Sequence, residues 1–328
     1  MIRYGIRHVT RFSYDAEISE SVMELRMQPA SEGSQQCLQF ELQVGPRARV
    51  FAYRDALANT VHHFDLPGRH RALSITARSL VQMDAPSALP EAIPLEAWRL
   101  VDESAASGED WEFLQPSQFA VWSESLLAFA ESLGPIAERA HNPLTTVRLT
   151  MAAIHQAFEY APHSTRVDSP IDEALAARRG VCQDFTHITL ALFRLWKLPS
   201  RYVSGYIGPD PQGDGEEQTR AASVATHAWV EVALPELGWI GIDPTNNIAA
   251  GLRHVRVAVG RDYADVPPTR GIFKGDAESE LAVAVTVEPT TAPLRHEEFL
   301  RVARPMPTSD ERNRPAELHY FQQQQQQQ

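Results

Sequence analysis

Cysteine is scarce in this chain of 328 residues, which contains only Cys37 and Cys182. If Cys182 has a chemical role, no disulfide remains, and the composition then fits a reducing compartment. Basic residues are also in deficit, because 30 Lys and Arg stand against 42 Asp and Glu and give a net charge of −12. A charge of this sign argues against binding to nucleic acid or to an anionic membrane through bulk electrostatics.

Long apolar runs are missing as well. No segment approaches the roughly 20 apolar residues that a membrane-spanning helix needs. The first residues include Arg3, Arg7, His8 and Arg11, so they do not form the apolar centre of a signal peptide. We therefore expect a cytoplasmic protein with no membrane partner, and the sequence leaves its oligomeric state open.

The length and the order of patterns along the chain predict two domains. Residues 1–84 alternate as strands do and contain turn signals, so we expect a β-rich domain that is separable from the chemistry. Residues 85–117 are rich in Pro, Ala and acidic side chains and form a connector, and residues 118–290 form the core. The polar tail, 291–328, ends in seven glutamines, and we expect it to be disordered.

Within the core, apolar spacing predicts helices over 119–133, 144–160 and 170–179. Alternating apolar residues predict strands over 255–259 and 281–287, which we expect to extend the sheet of the core.

A further helix is predicted to begin at Cys182. Phe185, Ile188 and Leu192 recur at helical spacing, and apolar residues on the other faces indicate a buried helix. Gly180 permits a tight approach to its start. The unpaired N–H groups and the dipole at a helix start favour an anion, so the Cys182 thiolate is favoured there.

Two strands joined by a tight turn follow this helix. Residues 226–234 alternate in character, Pro235 to Gly238 form a turn signal, and residues 239–243 read as the return strand. Counting outward from the turn places His227 and Asp243 opposite or nearly diagonal to each other across the hairpin, within reach of their side chains.

Cys182, His227 and Asp243 are the residue types of a thiol nucleophile, its general base and the carboxylate that orients the base. Each residue alone is more often structural: a buried small side chain, a satisfied histidine, a turn-forming aspartate. Their joint occurrence, at a helix start and across one hairpin, favours catalysis.

Three segments carry a resemblance to a known family. The sequences GVCQDF (180–185), THAWVEV (226–232) and GWIGIDPTNN (238–247) resemble the core of the bacterial transglutaminase-like superfamily. The first eighty or so residues look like the β-rich region that precedes this core in the family. The resemblance implies an α+β protein in which a β-rich N-terminal domain precedes a papain-like core, with the catalytic helix buried against an antiparallel sheet.

The resemblance also implies roles and an activity. Cys182 would be the nucleophile, His227 the base and Asp243 the orienting carboxylate, with no cofactor and no metal. The expected reaction passes through a thioester formed from a carboxamide or peptide bond of a protein or peptide substrate, and ends in transamidation or hydrolysis.

Several alternatives stay open. A relative with the same fold that binds peptides without catalysis is one, and a metal hydrolase built on His62, His63, Asp65 and His70 is another. The acidic segment 210–217 reads as a mobile loop or a cation site. Asp184 either binds substrate or favours the helix start. The aromatic residues are candidates for a substrate groove or for the core, namely Tyr160, Tyr206, Trp229 and Trp239.

Overall fold

The computed structural model describes residues 1–209, 226–291 and 318–322. Its strands are β1 (Ile2–Leu25), β2 (Gln35–Gly45), β3 (Phe51–Arg54), β4 (Thr60–Met83), β5 (Glu159–Tyr160), β6 (Arg179–Gly180), β7 (Ser200–Ile207), β8 (Thr226–Leu234), β9 (Gly238–Asp243), β10 (Ile248–Ala249), β11 (His254–Gly260), β12 (Thr269–Lys274), β13 (Ser279–Pro289) and β14 (Leu318–Gln322). Its α-helices are α1 (Ala97–Ser107), α2 (Glu124–Ser132), α3 (Pro143–Ala157), α4 (Ile171–Ala177) and α5 (Cys182–Leu195). Within the described residues, no helix is long and apolar enough to cross a membrane.

The predicted helices of the core are present, although each is shorter than its apolar pattern. They correspond to α2, α3 and α4, and Pro170 directly precedes α4. The connector contains a helix that its composition did not predict, because α1 lies within residues 85–117. The helix buries Trp98 and Val101 against the core, so tertiary packing supplies the stabilisation that the local composition lacks.

The larger sheet is built around two long antiparallel strands. β1 and β4 pair along most of their length, and β2 and β3 pair with the other edge of β4. The free edge of β1 is completed from the end of the chain: Tyr4–Tyr14 pair with β13, and Glu20–Leu25 pair with β12. β14 adds to the edge of β12, and the rest of the predicted tail lies outside the described residues.

The smaller sheet is antiparallel and has the order β10–β9–β8–β7–β11. Of the two strands expected to extend it, 255–259 lies in β11 beside β7, as predicted. The other expectation is wrong, because 281–287 lies in β13 and pairs with β1 of the larger sheet. Alternation defines a strand but not its partner, and the long unpaired edge of β1 provides a partner here.

One apolar cluster joins the larger sheet to the helical core. Tyr4, Ile6 and Val287 of the larger sheet pack in the same buried cluster as Phe185 and Leu192 of α5. Polar contacts cross as well, since the buried Nδ1 of His8 lies 2.9 Å from the Tyr206 hydroxyl on β7. The two predicted domains therefore share a core, which argues against residues 1–84 being separable.

Candidate active site

Cys182 is the first residue of α5, the helix around which the core is packed. Every residue from Cys182 to Arg194 is buried, and Cys182 itself is 2% exposed. This burial explains why apolar side chains occur on every face of the helix. The thiol thus lies at the start of a rigid helix, where the first backbone N–H groups have no acceptor within the helix.

Asp184 fixes the backbone at this helix start. Its Oδ2 accepts hydrogen bonds from the Val181 N–H at 2.8 Å and from the Thr165 hydroxyl at 2.5 Å. Burial raises the pKa of the carboxyl, and these two hydrogen bonds oppose the rise. A Cβ on Gly180 would lie 2.8 Å from the same oxygen, so a larger residue would fit there only if Asp184 shifted. Of its two predicted roles, Asp184 therefore has the structural one.

His227 and Asp243 lie diagonally across the β8–β9 hairpin. Val230 pairs with Ile242, so the same register places Asp243 opposite residue 229, two residues from His227. The His227 Nε2 lies 2.7 Å from the Asp243 Oδ2, and Asp243 is fully buried. Burial alone would lower the pKa of His227, but the Asp243 carboxylate outweighs it and raises that pKa. Burial likewise opposes ionisation of Asp243, yet His227 holds its pKa well below the usual range.

His227 also connects Asp243 to the thiol. A side-chain hydrogen bond joins His227 to Cys182 and adds to the rise in the histidine pKa. Since Nε2 is directed at Asp243, Nδ1 is the ring nitrogen left for the sulfur. The three predicted residues are thus brought together in the order thiol, imidazole, carboxylate, and their part in chemistry stays a prediction.

The Asp243 carboxylate is surrounded by donors. Its Oδ1 accepts from the backbone N–H groups of Thr245 at 3.0 Å and Asn246 at 3.2 Å. Its Oδ2 accepts from the side chain of Asn246 at 2.6 Å, from His227, and from the Nε2 of His254 at 3.1 Å. Five N–H donors hold a carboxylate ionised and in one orientation.

His254 is the member of this group that the sequence did not reveal. It begins β11, which is separated from β8 by β7 in the sheet and follows the hairpin in sequence. No motif surrounds it, and a lone histidine at the start of a strand carries no signal of its own. The tertiary fold places it beside Asp243, because the chain passes directly from β10, at one edge of the sheet, to β11, at the other edge.

A small open cleft, with a volume of about 50 Å³, leads to the thiol. Its lining includes Cys182, His227, Gln183, Tyr202 and Thr226, so the helix start and the strand starts face one space. Burial raises the pKa of the Tyr202 phenol well above its usual value, and the nearby Cys182 raises it further. This group therefore stays protonated. The acidic segment predicted over 210–217 lies outside the described residues.

Comparison with known proteins agrees with this geometry. Residues 4–82 match the bacterial transglutaminase-like N-terminal region, and residues 131–244 match the transglutaminase-like superfamily. An uncharacterized protein of Mycobacterium tuberculosis is 32% identical over 309 residues, which are 90% of this chain and 95% of the relative. The chain belongs to the transglutaminase-like superfamily.

Two further proteins are similar to this transglutaminase-like chain. A solved structure of a candidate cysteine protease from Cytophaga hutchinsonii has a TM-score of 0.65 at 20% identity, and the match covers 90% of this chain and 92% of that one. This likeness confirms the predicted fold, a β-rich region followed by a papain-like core. A protein-glutamine gamma-glutamyltransferase of Pseudomonas aeruginosa is 30% identical over 128 residues, which are 37% of this chain and 19% of that protein.

The four aromatic residues that the sequence offers as candidates for a substrate groove do not line one groove together. In the transglutaminase-like core, the Trp229 ring is buried and contacts the rings of His227 at 6.2 Å and His254 at 5.2 Å, which also contact each other at 6.1 Å. Trp239 packs instead against Phe113 and under Arg201, so it does not wall the cleft. Tyr206 is buried beneath the larger sheet, and Tyr160 is partly exposed near Cys182.

The histidines of residues 62–70 do not converge as a metal site. The His62 ring packs against Phe40, and His70 bonds to Ser21 and to the Gly68 carbonyl. Within the described part of the chain, the one group whose ligand atoms all lie within 4.8 Å is His227, Asp243 and His254. Their ring nitrogens are directed at one oxygen of Asp243, so a metal there would have to displace the hydrogen bonds of the orienting carboxylate.

Proposed function

We propose that this protein is a thiol acyltransferase or hydrolase that acts on carboxamide or peptide bonds of a protein or peptide. The observation that carries the proposal is the hydrogen-bonded series from Cys182 through His227 to Asp243 at one end of an open cleft. The family supports it at a coarser level, because the chain belongs to the transglutaminase-like superfamily and resembles a solved structure described as a candidate cysteine protease.

In the first half-reaction, the Cys182 thiolate attacks the carbonyl carbon of the substrate. The negative charge moves to the carbonyl oxygen, which the N–H groups at the start of α5 stabilise. The His227 imidazolium then donates its Nδ1 proton to the departing ammonia or amine as the carbon–nitrogen bond breaks. A thioester on Cys182 and a neutral imidazole remain.

In the second half-reaction, an amine or water attacks the thioester carbonyl. Neutral His227 accepts a proton from the attacking group, and the carbon–sulfur bond breaks to restore the thiolate and the imidazolium. Asp243 keeps the imidazole oriented throughout, because its own carboxylate is held by five donors. An amine acceptor gives transamidation, and water gives hydrolysis.

The second candidate is a relative that binds peptides without catalysis. The open cleft would suit such a role, but the raised pKa of His227 favours catalysis, since binding alone has no need for a charged imidazole beside a thiol. We propose a cytoplasmic location as well, which fractionation of the producing cells would test.

The test is incorporation of dansylcadaverine into dimethylated casein, together with release of ammonia and of new peptide termini. We expect Cys182→Ala to lose every product by several orders of magnitude. Cys37→Ala is the matched control, since burial raises the pKa of Cys37 to about 11 and keeps it a thiol. Comparable turnover by the Cys182 variant would refute the thiol mechanism, and the absence of all products from the wild type would favour the binding module.

A further inference from the structure

The Asp243 carboxylate serves two histidines rather than one. His227 and His254 approach the same oxygen, Oδ2, at 2.7 and 3.1 Å, one from β8 and one from β11. Both the carboxylate and the His254 side chain are buried, so water does not replace either hydrogen bond. The proposed reaction needs only one imidazole at the thiol, so the role of the second imidazole requires an explanation.

The hydrogen bonds of His254 fix its tautomer. The Gly251 N–H donates to the His254 Nδ1 at 3.2 Å, so Nδ1 carries no proton and Nε2 does. The Nε2–H can therefore only donate, and Asp243 is the acceptor it meets. Burial, in addition, lowers the pKa of His254, in keeping with a neutral ring.

A neutral donor has an advantage over a cation at this position. A charged group beside Asp243 would compete with the His227 imidazolium for the carboxylate and would repel it. A neutral N–H stabilises and orients the carboxylate without that repulsion. The Trp229 ring and the two imidazoles pack against one another, with ring centroids 5.2 to 6.2 Å apart, so packing also fixes the two histidines.

We infer that His254 is a positioning residue of the active site: its neutral Nε2–H holds the Asp243 carboxylate in the orientation that directs His227 toward Cys182. This inference rests on the proposed function. His254 does not itself line the cleft, so it acts through its hydrogen bond to Asp243 and its ring contact with His227, whose centroid is 6.1 Å away.

Two polar substitutions separate the donor from the rest of the side chain. In His254→Gln, the amide nitrogen reaches the place of Nε2 and keeps the donor to Asp243. In His254→Asn, the shorter amide reaches only the place of Nδ1, so it keeps the contact with Gly251 and loses the one with Asp243. His70→Asn is the matched control, a buried histidine whose two hydrogen bonds, to Ser21 and Gly68, lie in the larger sheet.

The measurements are made on the full chain with Cys37→Ala as the background, so that iodoacetamide reports on Cys182 alone. We expect His254→Asn to slow alkylation and to lower kcat for dansylcadaverine incorporation by about 10- to 100-fold, the value of a hydrogen bond to an ionised group, with KM little changed. His254→Gln should stay within about threefold of the wild type, because it retains that hydrogen bond. The His227 Nε2–H signal in ¹⁵N-histidine NMR spectra should persist in the Gln variant and broaden or shift in the Asn variant.

Equal losses in the Gln and Asn variants, an Asn variant that behaves as the wild type, or an equal loss in His70→Asn would overturn the inference. The failure of the proposed function is distinguishable. If the wild type forms no product from casein, alkylation and the NMR signal still report whether His254 positions Asp243 and His227.

Discussion

Replacing Asp243 by Asn tests the orienting role of the carboxylate with almost no change in shape. The amide can take two orientations. In each of them, its NH₂ group faces N–H groups that donated hydrogen bonds to the carboxylate. With its nitrogen at the Oδ1 position, the amide faces the N–H groups of Thr245 and Asn246. With its nitrogen at the Oδ2 position, it faces His227, Asn246 and His254. The first orientation loses fewer hydrogen bonds and is the one we expect.

The magnitude follows from this orientation. His227 would keep an acceptor but lose a charged one, and the difference between charged and neutral hydrogen bonds is about tenfold in rate. If the amide turns the other way, His227 must take the opposite tautomer, and the precedent in serine proteases is a loss of roughly 10⁴, or about 5.5 kcal/mol. We therefore expect kcat to fall by about 10- to 10⁴-fold. Two backbone N–H groups without an acceptor should also lower the free energy of unfolding by about 2 to 6 kcal/mol.

The assay compares kcat for dansylcadaverine incorporation by the wild type and the Asp243 variant, at a temperature below the unfolding midpoint of both. Circular dichroism verifies that both are folded. Asp262→Asn is the matched control, because Asp262 is a buried aspartate that accepts from the N–H groups of Phe119 and Ala264, both at 2.8 Å, outside the triad. The Asp262 variant should lose about as much free energy of unfolding as the Asp243 variant, but its kcat should stay close to that of the wild type. A folded Asp243 variant with the wild-type kcat would refute the role that we assign to the carboxylate.

The remaining predictions concern the helix start, pH and the shared core. Gly180→Ala should lower the unfolding midpoint and slow alkylation of Cys182, since its Cβ would lie 2.8 Å from the Asp184 Oδ2 and overpacking costs about 1 to 3 kcal/mol; an unchanged midpoint would show that Asp184 can move. The pKa of His227 is higher in the folded protein than in the unfolded chain, where it is near 6.5. Protonated His227 therefore stabilises the fold fully at pH values below about 6.5, and this contribution is lost as the pH rises through the raised pKa. Chemical denaturation across alkaline pH should therefore show a loss of stability that His227→Gln reduces, and equal pH dependence in both proteins would contradict the assignment. A fragment beginning at Asp84 should fail to fold, because it leaves the partners of Tyr4, Ile6 and His8 exposed; a soluble fragment with cooperative unfolding would show that the two sheets are independent.

The local parts of the site could be predicted from the amino-acid pattern. The helical spacing of Phe185 and Ile188 placed Cys182 at a helix start, and the turn from Pro235 to Gly238 placed His227 and Asp243 on one hairpin. Both inferences depend on contacts between residues close in sequence, for which periodicity and turn chemistry suffice. The family resemblance rests on these same segments, and the papain-like fold that it implied is confirmed.

The partners that are distant in sequence could not be predicted in this way. The pattern of residues 281–287 predicted a strand, but its pairing with β1 depends on which edge the fold leaves open. The role of Asp184 depends on Thr165, which approaches from a separate segment. His254 meets Asp243 because the chain passes from β10, at one edge of the sheet, to β11, at the other edge, and no local pattern specifies that path. These contacts form only when distant segments of the chain come together in the folded protein, so residue type and spacing cannot specify them.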